Sequence, residues 1–224
     1  MIGFRILARE RVVAAEWIER YRALPVANVS DSMHRMAAGG ARLRPLHRGG
    51  NLAGPALTVK TRPGDNLMIH KALDLARPGD VIVVDGGGDL SNALIGELML
   101  THAQVKGLAG MVLYGAVRDS GWIRAHDFPV YAAGISHRGP YKDGPGEINV
   151  PIAIEGMVIE PGDLVLGDDD GVLCVPIDAV ESVHAAAQKK HAQETEKMQA
   201  ILGGCDDRAW IDAALLRLQC ETRT

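Results

Sequence analysis

Apolar residues along the chain follow two different spacings, which predicts a mixture of strands and helices. Residues 81–84 and 111–114 are short, continuous apolar runs of the kind that forms buried strands. Between these two runs, residues recur at spacings of one, three or four, as on one face of a helix: Leu94, Ile95, Leu98, His102 and Val105. The pattern predicts a helix over about residues 96–106, ended by Gly107.

The same two patterns continue along the rest of the chain. We expect helices over residues 10–23, 29–36, 68–76, 177–202 and 208–218, and strands over 56–61, 128–132, 150–154, 157–159, 164–166 and 172–175. From residue 56 to residue 115 the order is strand, helix, strand, helix, strand. That order is typical of βαβ units, so the predicted fold class is α/β, a layered domain.

The chain divides into two unequal parts at residue 176. Residues 1–176 are expected to form a single α/β domain, and residues 177–224 a helical C-terminal extension. The long helix predicted over 177–202 has few apolar residues, and such a helix is seldom stable alone. We therefore expect this extension to pack on a neighbouring subunit of a homo-oligomer.

Composition and charge exclude several classes of function. The chain of 224 residues is 47% hydrophobic and 23% charged, as in an ordinary soluble globular protein, and no apolar run is long enough to cross a membrane. A formal net charge of −4 argues against a nucleic-acid binder with a broad basic surface. The cysteines Cys174, Cys205 and Cys220 show neither disulfide nor metal-site spacing, and no signal peptide is evident, so we expect a cytoplasmic protein.

The predicted lengths of one helix and one strand bring three charged residues together. A helix over 96–106 is about 15 Å long, and a strand over 110–115 runs back about 16–20 Å. The start of the helix and the end of the strand should therefore share one edge of the sheet. Glu97 would then face Arg118 and Asp119.

This group of residues suits the chemistry of a small 2-oxo acid. Free N–H groups at a helix start bind a carboxylate, and arginine binds a carboxylate or a developing enolate. Asp119 could hold Mg²⁺ or Mn²⁺, and Glu97 could act as an acid or base, directly or through water. A loop salt bridge between Arg118 and Asp119, with Glu97 serving only as a helix-dipole partner, is the alternative from residue types alone.

Twenty residues separate Glu97 from the adjacent pair Arg118 and Asp119. This spacing resembles the acidic-x20-Arg-Asp motif of the class II 4-hydroxy-4-methyl-2-oxoglutarate/4-carboxy-4-hydroxy-2-oxoadipate aldolases. The segments VIVVDGGGDLSNALIGEL and GLAGMVLYGAVRD are also similar to family segments, and the resemblance covers roughly residues 24–200. The regulator of ribonuclease activity A proteins share this fold. The resemblance implies a swivelling β/β/α-type domain with a long C-terminal helix.

The resemblance also implies roles for single residues. The backbone amides of Gly96, Glu97, Leu98 and Met99 would bind the pyruvyl carboxylate, and Arg118 would contact the substrate and stabilise its enolate. Asp119 would ligate the divalent metal. Family members often carry Asp at the first motif position, where this chain has Glu97.

Family members form trimers or hexamers, in which an acidic residue of the long helix reaches the adjacent subunit's metal site through water. Glu194 and Glu196 are the candidates for that acidic residue here, and the sequence does not choose between them.

Two functions remain open at this stage. The first is a metal-dependent lyase that releases pyruvate from a 4-hydroxy-2-oxo acid and can also decarboxylate oxaloacetate. The second is a non-catalytic regulator of the same fold that inhibits a ribonuclease. Substrate specificity is expected in the glycine-rich loop over residues 134–146, where His137, Arg138, Tyr141 and Lys142 are either site residues or exposed loop side chains.

Overall fold

The computed structural model describes residues 1–36 and 39–221. The strands are β1 (Phe4–Ile6), β2 (Arg44–Pro45), β3 (Leu52–Thr61), β4 (Val81–Asp85), β5 (Ala93–Ile95), β6 (Gly110–Val117), β7 (Val130–Ile135), β8 (Gly146–Ile148), β9 (Ile152–Ile154), β10 (Met157–Ile159), β11 (Leu164–Asp168) and β12 (Gly171–Val175). The helices are α1 (Ala15–Tyr21), α2 (Val26–Ser32), α3 (Leu67–Leu75), α4 (Glu97–Val105), α5 (Ser120–Ala125), α6 (Val180–Leu202) and α7 (Ala209–Arg217), with a short 3₁₀ turn over Ile177–Ala179 before α6.

Four parallel strands form the centre of the main sheet. β3 pairs with β4, β4 with β6, and β6 with β7, all in parallel. Side chains of β4 alternate between the two faces: Val81 and Val83 enter one hydrophobic cluster, and Ile82 and Val84 enter another. All four are fully buried, so the sheet is covered on both sides, as parallel sheets usually are.

Different layers cover the two faces of the sheet. Helices α3 and α4 pack on one face, and β9 to β12 supply residues to the cluster on the other. A third cluster, formed by α1, α2 and the start of α6 with β11 and β12, lies beyond. The predicted layered α/β fold with a long C-terminal helix is confirmed.

The sequence predicted the wrong face of α4 to be buried. Leu94 and Ile95 belong to β5, which pairs with β6, and the helix begins only at Glu97. Leu98 and Val105 are each 83% exposed, whereas Met99, Leu100 and Ala103 are buried. Both sets of residues have helical spacing, so periodicity alone could not separate them.

Several predicted boundaries also shift. α1 is shorter than the predicted helix over 10–23, α2 begins three residues before the predicted helix over 29–36, and β3 begins at Leu52, four residues before the predicted strand. The predicted strand over 128–132 is β7, which starts at Val130. None of the described helices is long and apolar enough to span a membrane.

The start of α6 packs on its own chain. Val180 and Ala187 are buried in the third cluster, and the hydroxyl of Tyr21 donates to the carbonyl of Val180 at 2.7 Å. At the far end of α6, Ile201 and Leu202 are 48% and 75% exposed in the single chain. Packing of this far end on a neighbouring subunit stays a prediction.

The buried face of α4 makes a prediction for stability. Leu100→Ala should lower the free energy of unfolding by about 2–5 kcal/mol, because it opens a cavity in the core. Leu98→Ala removes the same atoms from the exposed face, and should change the free energy of unfolding by less than about 0.5 kcal/mol. Denaturant unfolding measures both values, and a larger loss for Leu98→Ala than for Leu100→Ala would reject this assignment of faces.

Candidate functional site

The candidate site lies at the edge of the sheet where the central parallel strands end. α3 begins soon after β3 ends, Arg118 and Asp119 follow β6, and the loop over residues 136–145, here named the cavity loop, follows β7. α4 begins at this edge as well, because β5 runs in parallel beside the end of β6. Ligands of open α/β sheets bind beyond these carboxyl ends.

Asp119 joins the end of β6 to the start of α4. Its carboxylate accepts a hydrogen bond from the Glu97 N–H at 2.9 Å. The Arg118 N–H donates to the carbonyl of Ile95 at 3.0 Å. Asp119 adopts the left-handed conformation, with φ of 56°, which is uncommon outside glycine and turns its carboxylate back toward α4. The predicted meeting of Glu97, Arg118 and Asp119 therefore occurs, through the Glu97 backbone.

Gly96 is required by close approach. A Cβ atom at this position would lie 2.3 Å from an Asp119 carboxylate oxygen and 2.8 Å from Arg118 Cγ. Both distances are far inside van der Waals contact, and Gly96 itself has an extended backbone that any residue could adopt. The side chain is thus excluded by Arg118 and Asp119, which can pack against the helix start only at a glycine.

The backbone amides at the start of α4 are partly engaged within the chain. The Glu97 N–H donates to Asp119, and the Met99 N–H donates to the carbonyl of Gly96 at 3.1 Å. The Leu98 N–H donates to no residue in the described ranges. The first turn therefore still offers a donor to an anion, in the field of the helix dipole.

A cavity of about 310 Å³ opens beside this helix start. It is lined by Asn66, His70, Leu94, Ile95, Gly96, Leu98, Met99, Arg118, Gly139, Pro140 and Lys142. The lining contains two basic side chains, those of Arg118 and Lys142, and no carboxylate. Of the six predicted site residues, Gly96, Leu98, Met99 and Arg118 line the cavity, whereas Glu97 and Asp119 do not.

Two cavity residues, Asn66 directly before α3 and His70 on it, escaped the sequence prediction. Asn66 is 2% exposed, and its side-chain amide donates to the carbonyl of Leu94 at 2.9 Å, while its Oδ1 atom has no partner in the described structure. Burial, and then the charge of Lys142, lowers the pKa of His70, so its imidazole is neutral near neutral pH. The signal was available, since a helix that follows a parallel strand starts at the same sheet edge as its neighbours.

The cavity loop contributes the second cation. Lys142 lines the cavity, together with Gly139 and Pro140, whereas His137, Arg138 and Tyr141 do not. Lys106, the lysine at the end of α4, donates instead to the backbone carbonyls of α3, at 2.6 Å from that of Asp74. Lys142 is therefore the lysine that reaches the site.

Besides Asp119, three predicted acidic residues lie outside the cavity lining of the single chain. The Glu97 side chain is exposed and makes no hydrogen bond or ion pair to the described residues. Glu194 pairs with Lys190 at 3.2 Å and accepts a hydrogen bond from Asn28, whereas Glu196 is exposed. Whether either glutamate of α6 reaches another subunit's site stays a prediction.

The donor set at Asp119 matches a divalent cation that keeps most of its water. The Asp119 side chain is 41% exposed, and one of its oxygens is taken by the Glu97 N–H. No group of three or more His, Cys, Asp or Glu that could hold a metal occurs among residues 1–36 and 39–221. One carboxylate with several waters is a common arrangement for Mg²⁺, so these residues fit such an ion but not an all-protein cage.

The sequence and the fold both have known relatives. The family model RraA-like, described as Aldolase/RraA, matches residues 26–174. A relative from Halalkalibacterium halodurans, named "Putative 4-hydroxy-4-methyl-2-oxoglutarate aldolase", is 39% identical over 186 residues, which cover 83% of this chain and 89% of the relative.

Two solved structures extend the comparison to three dimensions. The RNA-processing inhibitor RraA from Thermus thermophilis, as its structure is titled, aligns with a TM-score of 0.63 and 32% identity, over 68% of this chain and 92% of that one. Streptomyces coelicolor RraAS2, titled an unusual member of the RNase ES inhibitor RraA protein family, aligns with a TM-score of 0.75 and 25% identity, over 84% of this chain and 98% of that one. The chain belongs to the RraA-like family, described as Aldolase/RraA.

Proposed function

We propose that this protein is a divalent-metal-dependent lyase that cleaves a 4-hydroxy-2-oxo dicarboxylic or tricarboxylic acid into pyruvate and a second oxo acid. Oxaloacetate decarboxylation would follow from the same enolate chemistry. The proposal rests on the aldolase name of a relative 39% identical to this chain, and on the chemistry of the cavity.

One observation carries the proposal: the cavity is lined by two basic side chains, Arg118 and Lys142, and by no carboxylate. Such a cavity favours a small molecule with more than one negative charge, because each carboxylate of the ligand can face a cation. A volume of about 310 Å³ lies at the lower end of the usual range for small-molecule sites. A 2-oxo acid with a second or third carboxylate meets both conditions.

The reaction needs stabilisation of one developing charge. In the cleavage step the 4-hydroxyl group loses its proton, and the C3–C4 bond breaks. The electron pair of that bond stays on the pyruvate fragment as an enolate, which then takes a proton at C3. Arg118, at the cavity wall, would bind the enolate oxygen, since a guanidinium placed where negative charge develops lowers the barrier. Glu97, directly or through water, would move the protons.

A divalent cation at Asp119 would supply Lewis-acid polarisation of the 2-oxo group. Asp119 would hold it through the oxygen that is not bound to Glu97, and water would complete its coordination. Mg²⁺ and Mn²⁺ both suit a carboxylate and water.

The second candidate is a regulator that binds a ribonuclease without catalysis. The observation in its favour is the structural match to the RNA-processing inhibitor RraA at 32% identity. This function would need neither the cation pair of the cavity nor the position of Asp119. Inhibition of a ribonuclease that survives loss of the site residues, with no pyruvate release, would favour it over the lyase.

Arg118→Ala and Asp119→Asn should each reduce pyruvate release by about 100-fold or more, because each removes a group that stabilises developing charge. Release from oxaloacetate and from 4-carboxy-4-hydroxy-2-oxoadipate, measured with Mg²⁺ by a coupled dehydrogenase assay, gives the rates.

The matched control for this pair is Arg48→Ala and Asp127→Asn. Arg48 and Asp127 form an exposed ion pair of the same residue types, 2.7 Å apart and outside the cavity lining. These control variants should keep rates near wild type, since surface pairs contribute little to stability. Equal losses in both pairs would reject a specific role for Arg118 and Asp119.

Gly96→Ala should abolish activity while leaving the fold largely intact. The added methyl group must displace the Asp119 carboxylate and the Arg118 side chain, since it would lie within 2.8 Å of both. Gly121→Ala is the control, because no other side chain or backbone atom of the described residues lies within 4 Å of a Cβ there. Near-normal activity of Gly96→Ala, with both variants folded by circular dichroism, would contradict the close packing of Arg118 and Asp119.

Metal removal should stop the reaction reversibly. Treatment with EDTA should reduce pyruvate release to background, and Mg²⁺ or Mn²⁺ should restore it. Binding of Mn²⁺, followed by electron paramagnetic resonance, should weaken in Asp119→Asn and stay unchanged in Asp127→Asn. Activity that resists EDTA, with a covalent pyruvate adduct on Lys142 trapped by borohydride, would instead show a lysine-dependent reaction.

A further inference from the structure

We propose that Asp65 is a positioning residue that fixes the cavity loop, and with it Lys142, against the cavity. The proposal rests on the proposed function, because it treats this cavity as the substrate site. Asp65 does not line the cavity, and its side chain is fully buried. Its effect on substrate would therefore pass entirely through the residues that it holds.

One carboxylate of Asp65 connects two separate walls of the cavity. Its Oδ1 atom accepts a hydrogen bond from the Leu67 N–H at 2.9 Å, at the start of α3. Its Oδ2 atom accepts from the N–H groups of Asp143 and Gly144 at 2.7 and 2.9 Å, in the cavity loop. α3 carries His70, and the loop carries Lys142 directly before Asp143, so the carboxylate sets the distance between these two cavity groups.

The buried carboxylate of Asp65 has partners for both of its oxygens. Arg62 lies 3.1 Å from Oδ2, and this single exposed cation, with three N–H donors, satisfies the carboxylate. Hydrogen bonds to an ionised acceptor are roughly twice as strong as neutral ones, so this arrangement restrains the loop more firmly than an amide would. An asparagine would also present an NH₂ group to at least one of the N–H donors.

Neighbouring backbone bonds reinforce the same junction. The Tyr141 N–H donates to the carbonyl of Gly64 at 2.8 Å, and the Asn66 N–H donates to the carbonyl of Tyr141 at 3.0 Å. The N-terminal part of the cavity loop is held separately, because the Ala93 N–H donates to the carbonyl of Arg138 at 2.8 Å. Lys142 lies at the end of the loop that Asp65 binds, so loss of the Asp65 carboxylate should free Lys142 before the rest of the loop.

Asp163→Asn is a matched control for Asp65→Asn. Asp163 is 4% exposed and also accepts backbone N–H groups from two segments, from Glu160 at 2.9 Å and from Ile177 at 2.8 Å. It does not line the cavity. Both substitutions replace a buried carboxylate that is hydrogen-bonded to two chain segments by an isosteric amide. A general loss of stability should therefore appear in both variants.

Asp65→Ser guards against a failure of Asp65→Asn to fold. A serine hydroxyl can still accept from the Leu67 N–H two residues on, as serine does in turns. The shorter side chain cannot also reach Asp143 and Gly144. This variant therefore keeps the local turn before α3 and removes only the loop contacts.

The test combines hydrogen exchange with kinetics, for the full chain. Both Asp65 variants should show faster amide exchange over residues 139–144 than Asp163→Asn, measured by mass spectrometry. They should raise KM for the carboxylated substrate by about 10- to 100-fold, with a smaller change in kcat, since a displaced binding group mainly weakens binding. In a Lys142→Ala background, Asp65→Asn should raise KM little further, because coupled residues are not additive.

The outcomes separate this proposal from the proposed function. Three outcomes would each overturn the positioning role of Asp65. They are amide exchange over residues 139–144 that is no faster than in Asp163→Asn, an unchanged KM, and an effect on KM that is additive with that of Lys142→Ala. If the wild-type chain releases no pyruvate from any substrate, the lyase assignment fails. Exchange, together with pyruvate binding by calorimetry, then still decides whether Asp65 fixes the cavity wall.

Discussion

The hydrogen bond from the Glu97 N–H to the Asp119 carboxylate is the constraint on which the site depends. It requires a left-handed residue at Asp119, a glycine at position 96 and a sharp exit from β6. Backbone strain of this kind costs about 1–3 kcal/mol. A carboxylate on an orphan N–H at a helix start returns about 0.5–2 kcal/mol, so the strain is offset largely by the contact that it creates.

The parallel topology explains why groups far apart in sequence meet at the cavity beside this contact. Strands β3, β4, β6 and β7 point the same way, so the segments after them share one edge. Asn66 and His70 come from the segment after β3, Arg118 from the segment after β6, and Lys142 from the segment after β7. The segments after β3, β6 and β7 thus reach the cavity, and the buried core that holds β4 between β3 and β6 fixes their spacing.

Sequence reasoning found the part of the site that depends on local lengths. A helix and a returning strand of nearly equal length place Glu97 beside Asp119, and both elements could be predicted from their apolar patterns. It failed where two arrangements satisfy the same pattern. Leu98 and Val105 have the same helical spacing as the residues of the buried face, and only packing against the sheet shows which face is covered.

The cavity groups from other segments could not be derived from one motif. His70 looks like an ordinary polar residue of an amphipathic helix, and Lys142 like an exposed residue of a glycine-rich loop. Their common location depends on strand order and on Asp65, a buried carboxylate whose bonds run to a segment 78 and 79 residues away along the chain. Local spacing carries no information about contacts over such separations, whereas the strand pairing does.

The contact through the Glu97 backbone also bears on the side chain at that position. The family resemblance leads us to expect aspartate at this position in related aldolases, yet the hydrogen bond that orders Asp119 uses only the N–H group of Glu97. Replacement of aspartate by glutamate therefore leaves the junction between β6 and α4 intact and changes only the reach of an exposed carboxylate. Because the Glu97 side chain projects outside the cavity lining, its added methylene group meets no steric limit in the single chain. The architecture of this edge is thus independent of the side chain at position 97, and the proton-transfer role proposed for that side chain can vary without loss of the Asp119 contact.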